Sequence, residues 1–154
     1  VLVFLRHSGC AFCREQVAQL QRDEARFARL GVTIGLITVG KPEDTARFCA
    51  DRDLHPPFVC LSDHERAGYH AYGLSRGRPH ELLAPRVFAR GFQAALHGHF
   101  QGLPKGDPFQ MPGIFIVDTT GTVRYAHRSA DAADNPSNAE IFAVLDRIHT
   151  PLTP

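Results

Sequence analysis

A parallel βαβ half joined to an antiparallel ββα half, an α/β fold, is predicted for this 154-residue chain by three observations. Short apolar runs of strand type alternate with helix-patterned stretches through residues 1–73, the pattern of a parallel sheet covered by helices. The turn Thr119-Thr120-Gly121 separates two later apolar runs and marks a β-hairpin. An amphipathic helix pattern follows that hairpin.

The elements follow in order. Residues 1–6 (VLVFLR) form a short apolar strand. Residues 11–30 read as one helix, with Val17, Leu20, Phe27 and Leu30 on its apolar stripe and Gly31 suited to its stop. Val32 to Val39 is the second strand. Pro42 opens the helix PEDTARFCADRD, whose early acids Glu43 and Asp44 suit a helix N-terminus. Pro56-Pro57 stops it, Phe58-Val59-Cys60-Leu61 is a third strand, and Asp63 is placed to cap the helix HERAGYHAYG. Residues 74–111 break the rhythm with repeated Gly and Pro, and only 86–97 looks helical there. The hairpin then pairs Gly113–Asp118 with Thr122–His127, and Asn135-Pro136-Ser137 starts a last helix facing inward through Ile141, Val144, Leu145 and Ile148. This order suits a thioredoxin-like sheet with an irregular insertion at about 74–111, in a single domain spanning 1–154. The chain opens on Val1 and runs straight into a strand, so an N-terminal segment is expected to be missing.

Bulk properties narrow the function classes. Lys plus Arg number 17 against 16 Asp plus Glu, a net charge of +1 with no basic cluster, which argues against a nucleic-acid or membrane-surface partner. No apolar run approaches the ~20 residues of a membrane helix. Four cysteines are too few for a disulfide scaffold in a chain this long. The expected location is the cytoplasm, with secretion left open; the oligomeric state is not legible.

Two of those cysteines, Cys10 and Cys13, stand three residues apart where the first strand gives way to the first helix. A helix N-terminus offers unpaired N–H groups and partial positive charge, which favour a thiolate. One cysteine can then attack a disulfide while the other, within one helical turn, resolves the mixed disulfide. A zinc site would need two further ligands, yet Cys49 and Cys60 stand apart and no second close pair exists. A structural disulfide across three residues would stabilise little, and an inert buried pair is the remaining alternative.

The run VLVFLRHSGCAFCREQV and the later run GIFIVDTTGTVRYAHRSADAADNPS resemble the peroxiredoxin-like AhpC/TSA family of the thioredoxin superfamily, whose relatives include selenoprotein U and prostamide/prostaglandin F synthase. The resemblance implies a thioredoxin fold and thiol redox chemistry. Two departures matter. The peroxidatic pattern P-x-x-x-[TS]-x-x-C meets Val3 and His7 when set on Cys10, and Arg6 and Cys10 when set on Cys13. Where peroxiredoxins carry an arginine before the Gly of the later strand, this chain has Pro112. By analogy with thioredoxins, Pro112 is expected to be a cis-proline shaping the substrate groove; an ordinary trans proline at a strand entry is the alternative.

Other residues take plainer readings. His7 is placed either to support the thiolate or to face solvent, and Arg6 either to pair the thiolate or to end a strand. Cys49 and Cys60 are expected to be separate core residues. Phe12 is expected to pack under the insertion, and His97-Gly98-His99 to be loop rather than metal site. Asp131 and Asp134 are expected to serve a turn. Together these readings give a thiol–disulfide oxidoreductase. Cys10 is its more exposed nucleophile and Cys13 its resolving partner, with Pro112, Arg6 and His7 in support. No metal or cofactor is expected beyond an external thiol reductant such as thioredoxin or glutathione. Its partners are disulfide-bearing proteins. The alternatives are a peroxiredoxin-like peroxidase acting on peroxide and a non-enzymatic redox-sensing or metal-binding module.

Overall fold

The computed structural model describes residues 1–7, 9–77, 107 and 109–149. Its five-stranded sheet has the order β3-β2-β1-β4-β5. β1 (Leu2–Phe4) leads into α1 (Ala11–Arg22) and α2 (Glu24–Arg29), then β2 (Ile34–Thr38), α3 (Pro42–Ala50) and β3 (Phe58–Ser62). The short α4 (Ala67–Ala71) precedes the insertion, and β4 (Gly113–Val117), β5 (Val123–Arg128) and α5 (Asn138–His149) follow it. β1, β2 and β3 run parallel; β4 is antiparallel to β1 and β5 to β4. The predicted parallel and antiparallel halves are therefore present and meet at β1, a thioredoxin-like arrangement.

The sequence patterns explain most boundaries. Pro42 occupies the first turn of α3, where its missing N–H is no loss, and Glu43 and Asp44 lie in the same turn. Gly121, at φ +82°, closes the hairpin turn: its N–H reaches the Asp118 carbonyl at 3.0 Å, and the Asp118 carboxylate accepts the N–H groups of Thr120 and Thr122. Asp131 and Asp134 accept the N–H groups of Ala133 and Ala130, so both serve the turn. Ser137 and Glu140 exchange backbone-to-side-chain bonds in a capping box that opens α5.

The helix predicted over 11–30 is instead two helices. Asp23 leaves helical geometry (φ −112°, ψ 16°), and its carboxylate accepts the Asn138 amide at 2.6 Å. A tertiary bond to α5 breaks a pattern that local periodicity would have continued. The helix over 86–97 and the His97–His99 pair lie outside the described residues.

Strand alternation divides the core between the two faces of the sheet. Val3, Leu5, Ile34, Leu36, Ile114 and Ile116 pack with Val17 and Leu20 of α1, Phe27 of α2, Phe48 of α3 and Ile141 of α5. Phe4, Ile37 and Phe115 pack with Tyr69 and Leu74. The stems of the insertion are zipped together: the Gly77 N–H donates to the Phe109 carbonyl at 2.7 Å, and Asp107 pairs with both Arg66 and Arg76.

Candidate redox site at Cys10 and Cys13

The end of β1 sets the site. Leu5 continues the pairing with β2 through its N–H to the Ile37 carbonyl, 2.9 Å. The chain then folds back on itself, so that the Cys10 N–H reaches the His7 carbonyl at 3.1 Å. Cys10 is extended (φ −71°, ψ 125°) and stands at the N-cap of α1, with its carbonyl taking the first helical bond from Arg14, 3.1 Å. The predicted strand-to-helix position of the pair is thus observed.

The two sulfurs have opposite surroundings. Cys10 Sγ accepts the Cys13 thiol proton, the backbone N–H groups of Cys13 and Phe12, and the Arg6 guanidinium at 3.6 Å. The bond from the Cys13 thiol is the largest influence. With the Arg6 charge and the backbone donors it outweighs burial and lowers the Cys10 pKa to about 6. Cys13, as donor in that bond, is raised well above the ordinary thiol value; burial and the Cys10 charge push the same way. Backbone N–H groups of Arg6, at 3.3 Å, and His7 face its sulfur and oppose that rise. One thiolate beside one thiol is the form this geometry favours near neutral pH.

Several expectations need correction. Cys10 is not the more exposed cysteine: it is 0% exposed and Cys13 3%, and both belong to the core cluster packed around α1. What separates the two is hydrogen bonding. His7 does not face solvent: it is 1% exposed, and its Nδ1 has no hydrogen-bond partner among the described residues. Burial first, then the Arg6 and Arg14 charges, lower its pKa to about 4, so the ring is neutral at pH 7. Arg6 is likewise buried, and turned onto the Cys10 sulfur. Phe12 is buried with the core cluster that holds both cysteines, and residues 78–106 of the insertion it was expected to pack under lie outside the described residues.

Pro112 is not a cis-proline. Among the described residues the cis peptide bond is Pro56–Pro57. Pro112 is buried and directly precedes Gly113, which pairs with Phe4. It therefore stands beside the strand end that feeds the cysteine turn, where a trans residue entering a strand fits the register. Cys49 and Cys60 are not separate core residues either: they form a disulfide joining α3 to β3. Packing of the crossover helix on the next strand brings them together, and their positions on consecutive elements of a βαβ unit were the available signal.

Tyr69 was missed. Fully buried, it donates its hydroxyl to the Leu5 and Ile37 carbonyls and so ties α4 to the strand ends beneath the cysteine turn. No local pattern marks it, since its partners lie 64 and 32 residues away.

Among the described residues no group of three or more His, Cys, Asp or Glu could hold a metal ion. No described helix is long and apolar enough to cross a membrane. A cavity of about 520 Å³, lined by Leu2, Val32, Val59, Leu61, Leu145 and Ile148 among others, opens at the beginning of β1 and so at the far end of that strand from the cysteines.

Among proteins of curated function, none matches this sequence. A family model does match. Its span, residues 19–131, begins beyond Cys10 and Cys13 and takes in the sheet from β2 to β5. That model is the one described as AhpC/TSA antioxidant enzyme, it covers well over half of the chain, and the chain belongs to this family of the peroxiredoxin and thioredoxin-like proteins.

Proposed function

We propose that the chain is a thiol–disulfide oxidoreductase in which Cys10 attacks and Cys13 resolves. The family's chemistry is thiol-based redox. The observation that carries the finer reading is the asymmetry of the pair: Cys10 lowered to about 6 at a helix start, Cys13 held as its thiol donor. The Cys10 thiolate attacks one sulfur of a substrate disulfide, that S–S bond breaks, and the departing sulfur leaves as a thiolate. Once Cys10 is bonded to the substrate its negative charge is gone. The Cys13 thiol then loses the charge that held its proton in place, deprotonates and attacks Cys10 Sγ. The second substrate thiolate leaves, the substrate has gained two electrons, and Cys10–Cys13 is a disulfide. An external thiol of the thioredoxin or glutathione class returns it to the dithiol. Both sulfurs are buried, so a protein disulfide reaches Cys10 only when its cover moves aside.

One observation favours a second reading, a thiol peroxidase. The Arg6 guanidinium lies 3.6 Å from the Cys10 sulfur, where it can hold a peroxide oxygen. In that case the thiolate displaces water or an alcohol from the O–O bond, and the resulting sulfenic acid condenses with Cys13 with loss of water.

The deciding experiment is the rate of the reduced protein with hydrogen peroxide, with oxidised cysteines mapped by mass spectrometry. A rate like that of free cysteine, ending slowly in a Cys10–Cys13 bond, is expected. A rate orders of magnitude faster, with a sulfenate trapped on Cys10, would replace the first reading with the second.

A further inference from the structure

We propose that the Cys49–Cys60 disulfide is a second redox couple, opened by an external dithiol that attacks the Cys60 sulfur and titrating separately from Cys10 and Cys13. The two bonded residues differ in access. Cys49, in the last turn of α3, is buried, whereas Cys60 is half-buried in β3. β3 is the edge strand of the sheet, with β2 as its paired neighbour. An incoming thiolate can reach the bond from that edge while β1 and β2, which hold the centre of the sheet, stay paired.

Closure is as accessible as opening. The two cysteines stand only 11 positions apart in sequence, so the open dithiol keeps its partners at high effective concentration. The packing of α3 on β3 returns them to the same place. A bond that opens at an edge and re-forms across a short loop has the reversibility of a couple.

The exchange balances without further reactants. One thiolate of the dithiol attacks Cys60 Sγ, the S–S bond breaks, and Cys49 leaves as a thiolate that takes up a proton. The second thiol of the dithiol attacks the mixed disulfide and releases Cys60. The dithiol becomes a disulfide, and Cys49 and Cys60 gain two electrons and two protons.

Opening frees a turn that rests on the redox helix. The N–H groups of Arg52 and Leu54 both bond to the Cys49 carbonyl at 3.2 Å. The Arg52 guanidinium donates to the Phe48 carbonyl at 2.8 Å and stacks 3.8 Å from the Phe48 ring centroid. The Arg52 carbonyl in turn accepts the Gln21 amide of α1 at 3.0 Å. The loss of order on reduction therefore falls on the end of α3 and the segment up to β3.

The test equilibrates the oxidised protein with graded ratios of reduced to oxidised dithiothreitol, traps free thiols by alkylation and counts them by peptide mass spectrometry. Circular dichroism and hydrogen exchange follow the fold. Cys49 and Cys60 should gain label together in one two-electron step while the chain stays folded, with faster exchange confined to about residues 47–62. The midpoint should be unchanged in a Cys10→Ser/Cys13→Ser protein, which separates this couple from the function proposed above. Brief exposure to glutathione should leave the mixed disulfide on Cys60. Label that appears only as the whole chain unfolds, a midpoint that moves when Cys10 and Cys13 are removed, or glutathione trapped on Cys49 would each overturn the proposal.

Discussion

Cys13→Ala tests the asymmetry on which the chemistry rests. The substitution removes the thiol that donates to Cys10 Sγ and leaves the Arg6 guanidinium and the backbone N–H groups in place. A hydrogen bond to a charged group contributes about 1.5–3 kcal/mol, and one pKa unit corresponds to about 1.4 kcal/mol. The Cys10 pKa should therefore rise by about 1–2 units from about 6. The assay is the rate of Cys10 alkylation by iodoacetamide against pH, with the thiolate's ultraviolet absorbance as a second measure. Cys13→Ser is the control, because its hydroxyl can still donate, and its midpoint should stay near that of the unaltered protein. If Cys13→Ala leaves the midpoint where it was, the thiol bond is not what lowers Cys10, and the division of labour between the two cysteines loses its physical basis.

Three further outcomes are expected. Tyr69→Phe strips a buried hydroxyl from the Leu5 and Ile37 carbonyls and should cost about 1–3 kcal/mol in urea unfolding. Gly113→Ala places a Cβ 2.7 Å from Leu74 Cδ2 and 2.9 Å from the His127 carbonyl oxygen; a loss of about 1–3 kcal/mol should appear as a lower urea midpoint with the slope unchanged. His7 is lowered in the folded chain from 6.5 to about 4, so the stability it contributes is fully present above pH 6.5 and is lost as pH falls toward 4. Thermal unfolding of the Cys10–Cys13-oxidised protein should show that loss, and His7→Phe should flatten the profile across that window.

The legible part of the fold is its local part. The apolar runs at Leu2–Phe4, Ile34–Thr38 and Phe58–Ser62, the Pro42 helix start and the Thr119–Gly121 turn each carry their signal within a few residues, and each lies where it was expected. The break at Asp23 carries none, since the bond from Asn138 that accompanies it comes from 115 residues away. The same division runs through the site. That Cys10 and Cys13 share a helix start follows from spacing and pattern. That both are buried does not, nor does the turning of Arg6 onto one sulfur, because both depend on the elements that pack around the start of α1.

By itself, then, the sequence determined the α/β class, the strand-to-helix placement of the cysteine pair and the thiol chemistry that placement favours, because backbone periodicity and helix-terminus electrostatics act over short stretches of chain. Only the tertiary structure decided that the Arg6 guanidinium is turned onto the Cys10 sulfur, that His7 is a buried neutral ring, that Pro112 enters its strand in the trans form, and that Cys49 and Cys60 are one disulfide. Each of these depends on burial and on partners brought in by packing, and a group's surroundings, unlike its spacing, exist only once the sheet has closed around it.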